Sequence, residues 1–337
     1  MTPNARFSEF LTDINPSTTT TQRSQSAHTE VRKALLADET FKSRVERTFL
    51  GGSYKRQSAI RPVRKGDDEQ RPDVDIYVVV DASPDWNTPA DLMEELFAAL
   101  DGNRKELGIT KLKRGRCSIA VSMNKADLDV SVLLERQTDG YYRIGNKDTG
   151  EWYPTDPEEH TNWSTRENTR LSGRLKPMTK MLKWARRENP TQFRHPKSFA
   201  LEALLAANMS ENVGHYGQLF HDFCDAFVNA YQADRDWGSC PELADPAIQN
   251  GNILAGVSAD QFCAFFDKIK AHRDDAARAL SETDQEKATK YWRRIFGTRF
   301  PSPKSDTASS LKTASAMSPL TFGAAQALPS RGPAKFA

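Results

Sequence analysis

The chain has 337 residues, with 47 lysines and arginines against 45 aspartates and glutamates, a formal net charge of +2. That length permits one large domain or two ordinary ones around a sizeable core. The near-cancelling charge offers no continuous basic track for long nucleic acid, although local basic patches stay open. No apolar stretch approaches the ~20 residues of a membrane span. The opening run MTPNARFSEFLTDINP lacks the basic-then-apolar layout of a secretory signal. The expectation is a soluble cytoplasmic protein with no membrane partner. Cys117, Cys224, Cys240 and Cys263 show no CxxC or Cys/His ligand spacing, and read as thiols in a reducing compartment.

In chain order, Phe7, Phe10, Leu11 and Ile14 recur at helical spacing, Pro16-Ser17 interrupts, and a second helix is expected through Val31, Leu35 and Leu36. Residues 51–155 then change to strand character, with short β-branched runs at Asp75–Val80, Cys117–Val121 and Leu128–Leu134. One amphipathic helix, Pro89 to Leu100, lies between them, with Leu92, Leu96, Phe97 and Leu100 on one face. Gly140–Ile144 and Gly150–Tyr153 read as a hairpin. In it Tyr141, Tyr142, Trp152 and Tyr153 are better explained by packing than by stacking on a base. From about 158 the pattern is helical again, over Leu171–Glu188, Ser198–Ala207, Leu219–Tyr231, Ala259–Leu280 and a last helix ending near Phe296-Gly297. The α–β–α order suggests an α+β protein of two lobes with a central cleft, where ligand sites concentrate. The expected boundaries are 1–157 for the sheet-bearing core with its N-terminal helices, 158–300 for a helical lobe, and 301–337 for a tail. That tail is rich in Ser, Ala, Pro and Thr with five charged side chains, and reads as a flexible extension.

The chemistry centres on Asp73 and Asp75. At i and i+2 of a strand the two carboxylates point to one face, and the run Ile76-Tyr77-Val78-Val79-Val80 buries that strand and holds them rigid. Gly52-Ser53 lies about twenty residues upstream. A third acid is available on Asp127–Leu133, where Asp127 and Asp129 share a face and spacing does not choose between them. Three carboxylates on adjacent strands can hold two Mg²⁺ ions, with Mn²⁺ as the alternative. One ion activates an attacking ribose hydroxyl; the other clamps a triphosphate and its leaving pyrophosphate. A DxD pair also arises as a helix cap or a solvated pair, but here the acids lead buried strands in order after the Gly-Ser turn. The six histidines have no HxH or HExxH spacing, and neither GxxxxGK nor a post-strand GxGxxG occurs. Zinc hydrolysis, P-loop and dinucleotide-binding readings therefore drop out.

The run Gly52-Ser53-Tyr54-Lys55-Arg56-Gln57-Ser58-Ala59-Ile60-Arg61-Pro62, followed by Asp73-Val74-Asp75-Ile76, resembles the signature of the bacterial cyclic-GMP-AMP-synthase-like enzymes. These are the CD-NTases of anti-phage (CBASS) signalling, related to animal cyclic GMP-AMP synthase and oligoadenylate synthetase. Trp152–Pro157 with His160, Lys197–Glu202 and Trp292–Pro301 are similar to later segments of the same family, so the likeness covers roughly residues 10–301. It implies a polymerase-β-like nucleotidyltransferase core with a mixed β-sheet, packed against a C-terminal helical lobe of oligoadenylate-synthetase type. Carried over position by position, Gly52 and Ser53 match the turn that contacts the donor triphosphate, and Asp73 and Asp75 match the first two metal ligands. Asp129 matches the third, leaving Asp127 as an outer or solvated acid. Lys183 resembles a triphosphate-binding lysine, on a basic helix with Arg186 and Arg187, and Ser198 a phosphate-contacting serine. Arg56 and Arg61 are further phosphate candidates.

The implied activity joins nucleoside triphosphates (ATP, with GTP or others) into an adenine-containing cyclic di- or trinucleotide, releasing pyrophosphate. Ring closure rests on the resemblance alone. The implied partners are an effector activated by the product and a ubiquitin-transfer-like protein that conjugates the terminal Ala337. Two other readings stay open: a template-free nucleotidyltransferase acting on RNA or a small molecule, and a catalytically dead nucleotide or RNA sensor.

Overall fold

The computed structural model describes residues 2–65, 68–71, 73–191, 195–211 and 214–303, with side chains left out at 63–65 and 68–70. The expected tail beyond Pro303, with Ala337, lies outside the described residues. Residues 1–302 form one compact unit.

Helix α1 (Asn4–Ile14) and helix α2 (Thr18–Ala37) are separated at Pro16, and α2 is started by Ser17, whose hydroxyl accepts from Thr20 N. Strand β1 (Val45–Gly51) runs into a one-turn helix, α3 (Gly52–Lys55). A small antiparallel pair, β2 (Val63–Lys65) and β3 (Asp68–Gln70), precedes β4 (Val74–Val80). Then come α4 (Pro89–Gly102), α5 (Arg104–Leu107), β5 (Ile109–Arg114), β6 (Ile119–Met123), β7 (Asp127–Leu134) and the hairpin β8 (Tyr142–Asn146) and β9 (Glu151–Thr155). The rest is helical: α6 (Pro157–Arg170), α7 (Leu175–Glu188), α8 (Ser198–Asn208), α9 (Tyr216–Trp237), α10 (Ala259–Ser281) and α11 (Gln285–Phe296).

The seven-stranded sheet runs β1-β4-β7-β6-β5, with β8 and β9 added alongside the second half of β7. It is mixed: β4 and β7 pair in parallel and the other neighbours are antiparallel. Alternation sorts its faces. Val74, Ile76, Val78 and Val80 of β4 and Leu128, Val130, Val132 and Leu134 of β7 pack into one core with Ala27, Val31 and Leu35 of α2 and Leu92, Met93, Leu96 and Leu100 of α4. Asp75 and Asp129 are therefore turned to the opposite face. Leu35 and Leu36 both fall in α2 as expected, and while Leu35 is buried Leu36 is 49% exposed, because consecutive helical residues lie 100° apart.

The helical part has its own core, built from Trp184, Leu201, Phe220, Phe227, Phe266, Trp292 and Phe296 among others. Phe7, Phe10 and Ile14 of α1 belong to this core rather than to the sheet's. Phe7 meets Trp292 edge-on at 5.0 Å, and the Trp292 indole donates to Thr2 Oγ1 at 3.0 Å. The first helix is thus sealed by the last, each such aromatic contributing about 1.5–3 kcal/mol by burial. Among the described residues no helix is long and apolar enough to cross a membrane.

Candidate active site

Parallel pairing of β4 and β7 sets Asp75 directly opposite Asp129, and the antiparallel pairing of β1 brings Gly51 opposite Asp75 on the other side. Asp73, just before β4, and Asp127, two residues before Asp129, complete a cluster of four acids at the ends of two central strands. Burial, helped by the neighbouring carboxylates, pushes three of them up from 3.8 to about 6. For Asp73 the acids next in weight are Asp129 and Asp127; for Asp129 they are Asp75 and Asp127. For Asp75 burial is opposed by the Arg56 charge and reinforced by Asp73. Asp73 is exposed, so solvent screens part of its share. Asp75 and Asp129 are half-buried and feel more of it.

Gly52 stands where β1 turns into α3, and its φ of +62° places it in the left-handed region. A Cβ there would lie 1.6 Å from Asp75 Oδ2. Glycine is needed twice over, for the turn and for the room it leaves the carboxylate. Gly52→Ala is expected to cost about 1–2 kcal/mol in backbone strain and to drive the Asp75 side chain away. Urea unfolding read beside nucleotide turnover checks this, with turnover falling much further than stability.

Among the described residues no group of three His, Cys, Asp or Glu side chains is gathered closely enough to make a finished metal shell. The donor chemistry still fits a divalent cation. Oxygen-only ligands suit hard ions, and carboxylates whose pKa is raised by burial and, to a lesser degree, by one another gain from a positive charge between them. The room kept by Gly52 beside Asp75 adds to this fit.

The other predicted residues fall in two groups. Ser53 is half-buried in α3, next to Gly52. Ser198 opens α8, and its hydroxyl accepts from Arg186 at 3.3 Å. Arg56 is 7% exposed and donates to Glu202 Oε2 at 3.1 Å, with its guanidinium 4.8 Å over the Phe199 ring. Lys183 on α7 is buried and donates to the Ser58 carbonyl at 2.8 Å. Burial lowers its pKa to about 7, with Glu202 acting to raise it and Arg186, Arg56 and Arg187 adding to the fall. Arg61 turns the other way, bonding the Asp13 carbonyl and carboxylate at the end of α1. Arg187 bonds the Arg61 carbonyl.

The residue that joins these pieces is Glu202, which is fully buried. Its carboxylate accepts from Arg56 and Ser58 of the segment after α3 and from Ser164 of α6. An acid inside the apolar run Phe199-Ala200-Leu201-Glu202-Ala203-Leu204-Leu205 was the available signal, since a glutamate on a buried helix face is kept there only by partners.

A mixed sheet with acids at the ends of two central parallel strands, a Gly-Ser turn beside them and helices across the same face define a nucleotidyltransferase of polymerase-β type. Residues 1–168 match the Second Messenger Oligonucleotide or Dinucleotide Synthetase domain. The chain is 37% identical over 333 residues to the cyclic AMP-AMP-AMP synthase of an Acinetobacter species, covering 98% of this chain and 95% of that protein. It is 26% identical to the cyclic AMP-AMP-GMP synthase of Enterobacter hormaechei, over 88% of this chain and 92% of the relative. In fold it is similar to the CD-NTase CdnG of Bradyrhizobium diazoefficiens solved with GTP, with a TM-score of 0.72 at 14% identity, covering 88% of this chain and 96% of that one. E. coli CdnC solved with ATP gives a TM-score of 0.69 at 18% identity, over 88% and 98% of the two chains. The chain belongs to the bacterial CD-NTases, the nucleotidyltransferases that make cyclic oligonucleotides in anti-phage signalling. Enzymes of this family use divalent metal ions.

Proposed function

We propose that this enzyme joins three ATP molecules into a cyclic triadenylate, with Asp73, Asp75 and Asp129 as ligands of two Mg²⁺ ions. The observation that supports this most is the cross-strand register of Asp75 with Asp129 beside a glycine that leaves Asp75 its space. When bound, the ions offset the triphosphate charge and lower the pKa of the attacking hydroxyl. The chain's own groups do the rest. Ser53 contacts the donor phosphates from the head of α3, and Ser198 reaches them from α8. Arg56 and Lys183 are held by Glu202 and the Ser58 carbonyl, and they act through the positive field they lend to the Asp75 side of the cleft. Asp129 takes the proton as the ribose oxygen bonds to the α-phosphorus and the bond to pyrophosphate breaks. Repetition, then attack by the chain's own free hydroxyl, closes the ring.

The adenine-only product rests on the relative named cyclic AMP-AMP-AMP synthase, at 37% identity. The relative named cyclic AMP-AMP-GMP synthase, at 26%, supplies the second reading. Omitting one nucleotide at a time separates them by mass spectrometry: ATP alone suffices for the first, and a requirement for GTP establishes the second. We propose residues 1–157 as the nucleotidyltransferase core and 158–300 as the helical lobe, with α1 contributing its apolar side chains to the latter. The product is proposed to activate a separate effector. The tail is proposed to be conjugated through Ala337; deleting Ala337 and seeing no loss of a higher-mass conjugate in cells would refute that.

A further inference from the structure

His160 is bonded to one distant carboxylate and packed at a tilt against a phenyl ring on which a guanidinium rests. It lies one turn into α6, and its Nε2 is 2.8 Å from Asp245 Oδ1. Each of the two side chains is 17% exposed. Its ring packs on Phe199 at a centroid distance of 4.4 Å, and Trp163 meets the same Phe199 edge-on at 5.6 Å. On Phe199 rests the Arg56 guanidinium, the cation whose charge favours ionised Asp75. Phe199 directly follows Ser198 at the head of α8.

Asp245 is an unusually well-fixed partner. It sits in the segment between α9 and α10, where its amide donates to the Gly251 carbonyl at 2.8 Å and its Oδ1 accepts from Ala247 N at 2.9 Å. Asn252 Oδ1 braces the same segment by accepting from Leu243 N and Leu254 N. Its tip is tied to the sheet-bearing part, because Gln249 N donates to Tyr141 Oη at 3.2 Å. A carboxylate held this way fixes the tautomer and plane of the histidine it faces, with the proton on Nε2.

We infer that His160 is a positioning residue of the nucleotide site, pinned by Asp245 and acting through Phe199 on Arg56 and the start of α8. This rests on the reading of the acidic cluster as the catalytic centre. A ring free to rotate would let Phe199 tilt and the guanidinium shift. The loss would fall on how well the triphosphate is held, and less on the chemical step.

The test is steady-state synthesis from ATP by wild type, His160→Ala, Asp245→Asn, the double variant and Asp75→Asn, with a thermal melt of each. His160→Ala is expected to raise KM for ATP about tenfold while kcat stays within about threefold. Asp245→Asn moves KM in the same direction, and the double variant is no worse than His160→Ala because both act along one path. His160→Phe, which keeps a ring on Phe199 without the Asp245 contact, recovers part of the KM. The inference is overturned if His160→Ala keeps the wild-type KM, or if its activity falls only in step with its melting temperature, or if the two single effects add independently. Should Asp75→Asn retain turnover, the underlying reading of the acidic cluster fails instead, so the two failures are distinct.

Discussion

Asp75→Asn is expected to abolish nucleotide joining, by at least ~10²–10³-fold, while leaving a protein that without metal is more stable than wild type. The stability part comes from the sign of the shift. The Asp73, Asp75 and Asp129 carboxyls titrate at about 6 in the folded protein against 3.8 for the ordinary group. A carboxyl with a raised folded pKa binds more protons folded than unfolded between those values. The stability it lends is whole below about 3.8 and lost as pH rises to about 6. Above that, three unneutralised acids burden the native state, and replacing the middle one removes its own burden and part of its neighbours'. After allowance for solvent screening the gain at pH 7.5 is about 1–2 kcal/mol. Urea midpoints of the two proteins should converge near pH 4 and separate above pH 6, and Mg²⁺ should close the gap by stabilising wild type alone. A variant that is inactive because it is unfolded would behave in the opposite way.

Glu202→Ala is expected to be the most destabilising single change at the site. It leaves Arg56 buried without a counter-charge and strips the Ser58 and Ser164 hydroxyls of their acceptor. Removing one partner of a buried pair costs about 3–5 kcal/mol, or a fall in melting temperature on the order of 10 °C for a chain of this size. Because Glu202 also holds up the Lys183 charge, the variant loses nucleotide affinity as well. An Arg56→Met plus Glu202→Met double variant should recover most of the stability, since both charges leave together, and none of the activity. Calorimetry beside turnover separates the two effects. If Glu202→Ala melts with wild type, the carboxylate does not anchor α8 to the α3 segment.

Legibility in the sequence depended on which residues carried a periodic or spaced signal. The strand of Asp73 and Asp75 and that of Asp129 were legible because β-branched runs after an acid leave few alternatives, and the structure pairs them in register. Helix α6 was not marked out, since the run from Pro157 to Arg170 holds one large apolar side chain, Trp163, and so no stripe. Its real signal was the Asp156-Pro157 start, an N-cap followed by proline at the first helical position. Strand β5, Ile-Thr-Lys-Leu-Lys-Arg, was missed because it is an edge strand whose lysines and arginine belong to protection of that edge. Pairings across the chain were beyond reach: α1 packs with α11, and Glu202 joins Arg56 across an interval of 146 residues. No local pattern encodes such contacts. For Arg56 and Lys183 the resemblance implies phosphate contacts, and the partners that hold them in the fold, Glu202 and the Ser58 carbonyl, lie too far along the chain to leave a local mark.

The decisive measurement is the product made from ATP and Mg²⁺ by the purified protein, digested with phosphatase and weighed by mass spectrometry. Wild type is expected to yield a phosphatase-resistant trimer of AMP, with none from Asp75→Asn or Asp129→Asn proteins that remain folded. Open-ended, phosphatase-sensitive products from wild type, or the same cyclic product from either variant, would contradict the assignment of these acids to a cyclic triadenylate synthase.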